Sequence, residues 1–384
     1  MLKTITSISL ALLLTACSAA DSLNAADQDA QAGSLLDQQA IAADALIPGA
    51  ASGITFNYNS TSGLDGETII PVSGALYLPR GDAPEGGWPL IAWSHGTVGV
   101  GDACAPSTNG RSERDLTYLS NWLDKGYAIV ASDYEGLGQE GLHPYLATRP
   151  MAYSNLDAIR AVQAGDFPVS EAVVVTGQSQ GASAAIATAG FAADYAPEVE
   201  LLAISATGVP FFPPELQQAM LTTGADEPNP NVAFNLYLLT LAELLDPEFK
   251  LEAEVDPALW PAVSKAYDQC IFELIESSMA AELTVNQLYT PEVAQRTPLI
   301  FEALAYPTLS LPVPAFIGSG EADTITPLPM QQAFVGAACA AGTTLEARVY
   351  PGASHDGGLL DSIPDVEAFV AKAFARETIA STCS

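Results

Sequence analysis

From about residue 51 the chain alternates short runs of apolar and β-branched residues with longer stretches whose apolar positions recur at helical spacing. That alternation predicts an α/β fold, a mostly parallel sheet flanked by helices. Runs at 69–78, 90–93, 128–132, 172–176, 201–205, 314–318 and 345–350 read as strands. Helical patterning covers 116–125, 151–164, 180–193, 328–341 and 364–376. Between about Gly208 and Pro307 the sheet-forming rhythm stops. Helical stretches broken by Pro213, Pro214, Pro228, Pro230, Pro247 and Pro257 take its place, so 208–307 is expected to be an inserted α-helical cap. No internal repeat interrupts this order.

The amino terminus follows a different rule. Lys3 precedes an apolar run at 8–14 that is too short to span a bilayer, and Leu14-Thr15-Ala16-Cys17 follows at once. The tetrapeptide resembles the bacterial lipobox, which implies removal of 1–16, acylation of Cys17 and, with Ser18 next, sorting to the outer membrane; a cleaved signal and secretion is the plainer alternative. Residues 17–50 then read as an acidic flexible tether, because 18–50 hold five acids and no base among Ala, Gln and Ser. The folded domain is expected over 51–384.

At 384 residues, 49% hydrophobic and 15% charged, the chain has material for one large core and its insertion. The net charge of −32 repels phosphate backbones, so nucleic acid is excluded as a partner. With three His in the sequence and no metal-ligand spacing, no protein-bound metal is expected.

Chemistry concentrates at Gly177-Gln178-Ser179-Gln180-Gly181. A strand-like Val173-Val174-Val175 precedes it and an Ala-rich helical stretch follows, so Ser179 falls on a tight strand-to-helix turn. Glycines at 177 and 181 suit a turn where neighbouring backbone leaves no room for a Cβ. Serine needs a base to take its proton, and the base needs an acid to hold its tautomer. His355 follows the last strand, in Pro351-Gly352-Ala353-Ser354-His355; His95 and His143 precede Ser179 and fit oxyanion-loop or structural roles. Asp323 follows the strand at 314–318 and is the preferred acid, with Glu321 its rival. The oxyanion of an attacked carbonyl needs two N–H donors: one from Gln180, the other from the loop Ser94-His95-Gly96-Thr97, at Thr97 or its neighbour Val98.

Ala92-Trp93-Ser94-His95-Gly96-Thr97, Cys104-Ala105-Pro106-Ser107, Asp133-Tyr134-Glu135-Gly136-Leu137-Gly138 and His143-Pro144-Tyr145, with the elbow and the later Asp and His, resemble the secretory lipase family of α/β hydrolases from about residue 76 to 358. The resemblance implies the α/β-hydrolase fold and a serine carboxylesterase or lipase. Such an enzyme cleaves a small-molecule or lipid ester through an acyl-enzyme on Ser179, beneath a helical cap and without a cofactor. A tether to the membrane through Cys17 departs from relatives that are commonly released. A serine peptidase shares the triad, and a catalytically inactive binding lipoprotein shares the scaffold; intact Ser179, Asp323 and His355 speak against the second.

With Cys17 acylated, Cys104, Cys270, Cys339 and Cys383 remain, an even number for an exported, oxidising setting. Cys339 and Cys383 are closest in sequence, which leaves Cys104 for Cys270. In the cap, the apolar clusters 211–212, 236–241 and 244–245 are expected either to line an acyl pocket above Ser179 or to fill the cap's own core.

Overall fold

A computed structural model describes residues 31–217 and 225–383. Among them nine strands form one sheet: β1 (Leu35–Ala40), β2 (Ala50–Thr61), β3 (Ile69–Pro79), β4 (Trp88–Ser94), β5 (Ala128–Ser132), β6 (Val169–Gln178), β7 (Glu200–Thr207), β8 (Ala315–Gly320) and β9 (Leu345–Tyr350). Their spatial order is β1-β2-β3-β5-β4-β6-β7-β8-β9. The pairs from β1 through β5 are antiparallel, and those from β5 to β9 are parallel.

The parallel centre is apolar on both faces because helices cover both. Val173 and Val175 of β6 point to one layer, with Leu156, Ile159 and Val162 of the helix Thr148–Ala164 and Ala182, Ala185 and Ile186 of the helix Gln180–Tyr195. Val174 points to the other, with Leu119 and Trp122 of the helix Glu113–Asp124 and Phe369 and Val370 of the helix Ile363–Phe374. Successive valines facing opposite layers is the period of two that a strand imposes.

From β4 the chain steps outward to β5 and then crosses back to β6 on the other side of β4. Connections leaving two neighbouring strands in opposite directions open a crevice at their carboxyl ends. The loop 94–97 after β4 and Ser179 after β6 stand at that crevice.

The structure corrects the amino-terminal boundary. Leu35–Ala40 is not tether but a strand, paired with β2 from Leu35↔Tyr58 to Ala40↔Ile54, and Ile47 is 2% exposed in the core. An edge strand facing solvent wants the polar side chains that a tether wants. Composition therefore cannot separate the two, whereas the alternating Ile54, Phe56 and Tyr58 of β2 carry a strand signal in the sequence. The segment 1–16, Cys17 and the tether up to residue 30 lie outside the described residues. No helix among the described residues is long and apolar enough to cross a membrane.

Between β7 and β8 the described residues fold into helices, the longer ones Asn231–Leu245, Ile271–Ala280 and Thr297–Leu304. They bury a core of their own, which reaches into the main body at Val100, Tyr145, Leu146 and Ala147. Two disulfides form among the described residues. Cys104–Cys270 ties the segment after β4 to this insertion, and Cys339–Cys383 ties the carboxyl tail to the helix Leu328–Ala340.

Candidate active site

Ser179 stands between β6 and the helix Gln180–Tyr195 with φ 59° and ψ −121°. A non-glycine residue holds a positive φ only where its surroundings over-determine it. Here the surroundings do so by close approach: a Cβ on Gly177 would come within 2.0 Å of the Gly181 carbonyl oxygen, and one on Gly181 within 1.9 Å of that of Ser94. The Ser179 N–H donates to the Thr207 carbonyl at 2.9 Å. Both glycines are thus required by sterics, and the turn presents a side chain that is 9% exposed.

His355 opens the short helix His355–Asp361. Its Nδ1 lies 2.7 Å from Asp323 Oδ2, and an ionised carboxylate only accepts, so Nδ1 carries the proton and Nε2 is left with its lone pair. Asp323 is held in turn. The N–H groups of Ile325 and Thr326 donate to Oδ1 at 2.8 and 2.9 Å, while the Thr326 hydroxyl and Gln331 Nε2 donate to Oδ2 at 2.8 and 3.2 Å. Burial pushes the Asp323 carboxyl up, but the hydrogen bond from His355 and the donors of Thr326 outweigh it, and the net shift is downward. Glu321 is elsewhere: its carboxylate accepts the Gly352 N–H at 2.9 Å.

Two contacts bring the His–Asp pair to the elbow. Gln178 Nε2 donates to the His355 carbonyl at 3.3 Å. Gly208, next to the Thr207 that holds Ser179, has φ +63°, and a Cβ there would meet His355 Cε1 at 3.0 Å. The loop after β4 closes the other side, since a Cβ on Gly96 would stand 3.1 Å from Gln178 Oε1. Thr97 follows, half-buried, with its Oγ1 2.9 Å from the Tyr145 hydroxyl.

The remaining histidines are fully buried. His95 stacks on Tyr134 at 4.2 Å, and Tyr134 stacks on His143 at 5.7 Å. Burial lowers the pKa of both, that of His143 to about 3, so neither carries a charge at neutral pH. Thr326 and Gln331 have no motif to betray them, because their work is to hydrogen-bond Asp323. The expected acyl-pocket leucines turn inward: Leu236, Leu238, Leu239 and Leu241 are at most 1% exposed within the insertion's own core. Phe212, half-buried, packs on Phe301 at 6.0 Å. Among the described residues no group of three His, Cys, Asp or Glu could hold a metal ion.

A mostly parallel sheet whose central strand ends in a strained serine turn, faced by loops from its neighbouring strands, is the architecture of the α/β hydrolases. The chain belongs to the secretory lipase family, whose sequence profile matches residues 106–377. It is 26% identical over 261 residues to lipase A of Moesziomyces aphidis, covering 63% of this chain and 53% of that protein; it spans about half the length of that relative. The fold is similar to Candida antarctica lipase A in its closed state, with a TM-score of 0.71 and 20% identity over 92% of this chain and 85% of the other. It is similar also to the rice cell wall degrading esterase of Xanthomonas oryzae, with a TM-score of 0.70 and 19% identity over 91% and 100%.

Proposed function

We propose that the chain is a serine ester hydrolase acting on carboxylic esters, with Ser179 as nucleophile, His355 as general base and Asp323 as the acid that holds it. The observation that carries the reading is the pairing of the strained Ser179 turn with a His355–Asp323 contact of 2.7 Å. In this mechanism Ser179 Oγ bonds to the ester carbonyl carbon as its proton passes to His355 Nε2, and the carbonyl oxygen becomes an oxyanion. The N–H groups of Gln180 and Thr97 receive that oxyanion. Gln180 begins a helix, so its N–H is free for a ligand and carries the partial positive charge of the helix terminus. Collapse breaks the ester C–O bond, and His355 returns the proton to the leaving alkoxide. Water then attacks the acyl-enzyme by the same route and releases the acid. Membership of the secretory lipase family favours esters over peptides as substrates.

Kinetics on a short p-nitrophenyl ester test the reading. Ser179→Ala and His355→Ala should each lower kcat by on the order of 10⁶-fold and Asp323→Asn by about 10⁴-fold, because the three act as one unit. A fluorophosphonate should label Ser179. A Ser179→Ala enzyme with near-native turnover overturns the assignment.

The family and the two disulfides support export. We further propose that Cys17 is acylated and anchors the enzyme to the outer membrane; the helical insertion at 208–307 acts as the cap over the site.

A further inference from the structure

We propose that the segment His143-Pro144-Tyr145 positions both halves of the oxyanion hole, His143 acting on Gln180 and Tyr145 acting on Thr97. The inference rests on the reading above that these two residues supply the N–H donors. In it His143 and Tyr145 act through Gln180 and Thr97 and not on the ester itself.

The Gln180 half is a directed chain. His143 Nδ1 lies 2.9 Å from the Glu135 carbonyl oxygen, which can only accept, so Nδ1 carries the imidazole proton. His143 Nε2 is then a bare acceptor, and Gln180 Nε2 donates to it at 2.6 Å. The surroundings keep this arrangement from relaxing. Gln180 is 1% exposed, its Nε2 also meets Met151 Sδ at 3.5 Å, and burial opposes a second proton on His143, whose pKa is pushed down to about 3. With its backbone in the first turn of a helix and its side chain fastened to a neighbouring loop, Gln180 is held at both ends, which restricts how far its N–H can swing.

The Thr97 half runs through one hydroxyl. Tyr145 is 3% exposed and its OH is 2.9 Å from Thr97 Oγ1. Its ring meets Tyr237 of the insertion edge-on at 5.4 Å. The same loop is held at two further points, since the His143 N–H donates to the Val100 carbonyl at 3.1 Å and the Ile271 N–H to that of Val98 at 2.8 Å.

The segment that does this is itself braced. A Cβ on Gly136 would fall 2.4 Å from the Leu142 carbonyl oxygen, so only glycine lets the chain pack this closely before His143. The adjoining Glu135 carboxylate takes the Ser62 hydroxyl at 2.6 Å and the Gly63 N–H at 2.8 Å. An oxyanion hole works because its donors are already in place when charge develops. Two donors on separate loops need a common reference, and residues 143–145 contact both.

Steady-state kinetics on p-nitrophenyl butyrate, inhibition by a trifluoromethyl ketone and thermal melting test this on the full enzyme. Tyr145→Phe deletes one hydroxyl and His143→Phe both ring nitrogens. Deleting a donor outright costs about 10²–10³-fold; displacing one should lower kcat about tenfold, with KM within about twofold and the affinity for the ketone, which forms a tetrahedral adduct, reduced by the same factor. His143→Gln restores an acceptor for Gln180 and should recover part of kcat. Thr97→Val combined with Tyr145→Phe should cost no more than the worse single variant. Should His143→Phe fail to fold, Gln180→Leu, which deletes the carboxamide and keeps the backbone N–H, reads the Gln180 half by kcat and ketone affinity, and the Thr97 and Tyr145 cycle reads the other. Folded single variants with native kcat and ketone affinity overturn the proposal, as does a loss confined to KM or full additivity in the cycle. A Ser179→Ala enzyme that keeps its activity would instead remove the mechanism on which it rests.

Discussion

Leu238→Ala separates the two tasks the insertion's leucines could have. Leu238 lies in the helix Asn231–Leu245, is 1% exposed, and shares a core with Leu236, Leu274, Leu288 and Ile300. Truncating a side chain so enclosed removes its transfer energy and leaves a cavity the neighbours only partly fill, a loss of about 2–5 kcal/mol. If the same side chain lined an acyl pocket, its removal would fall on longer esters, where each buried methylene is worth up to about 0.8 kcal/mol, or roughly fourfold in kcat/KM. The geometry favours the first outcome. Thermal melting should show a fall of several degrees, while the ratio of kcat/KM for p-nitrophenyl octanoate over acetate stays within about twofold of the native value. An unchanged melting temperature with a collapsed preference for octanoate would refute the reasoning and return Leu238 to the acyl site.

Asp323→Asn should alter how stability responds to acid. The carboxyl's folded pKa lies below its unfolded value, near 4, so its stabilisation is fully present above about pH 4 and is lost as pH falls through the folded value. The gap in melting temperature between native and Asp323→Asn enzyme should therefore be widest near neutrality and shrink below about pH 4; a gap independent of pH contradicts the shift. Mass spectrometry of the mature amino terminus from a Gram-negative host should find an acylated Cys17, and an unacylated start elsewhere disposes of the anchor.

Most of the sheet could be read from the chain because parallel strands buried on both faces are continuous apolar runs, as Val173, Val174 and Val175 are. The antiparallel edge was harder: β1 is nearly all exposed and carries Asp37, Gln38 and Gln39, so nothing in its composition announces a strand. At the candidate site, the residues proposed to do chemistry have types the chemistry demands, in an order that the fold imposes, and the elbow glycines have steric work that only glycine can do. Residues that hold those groups have no such constraint. Thr326 and Gln331 reach Asp323 through ordinary hydrogen bonds, and a Thr or Gln capable of that is found on any surface. The leucines at 236–241 show the reverse difficulty: apolar clustering says that a side chain is buried, but not against what.

The insertion's attachment bears on how the site can change shape. Cys270 is joined to Cys104, the Ile271 N–H is bonded to the Val98 carbonyl, and a Cβ on Gly101 would stand 2.7 Å from the Tyr267 carbonyl oxygen. Residues 98–104 follow directly on the proposed oxyanion loop, so this edge of the insertion and that loop form one body. The bridge spans a sequence separation of 166; a loop that long removes about 5 kcal/mol of unfolded-chain entropy in the chain-entropy model. Its local effect is more telling. The start of helix Ile271–Ala280 is tied to Val98 by the Ile271 N–H, and Val98 adjoins Thr97. If the insertion caps the site as proposed, this seam is its fixed edge, and opening for a substrate would fall to parts of the insertion away from it.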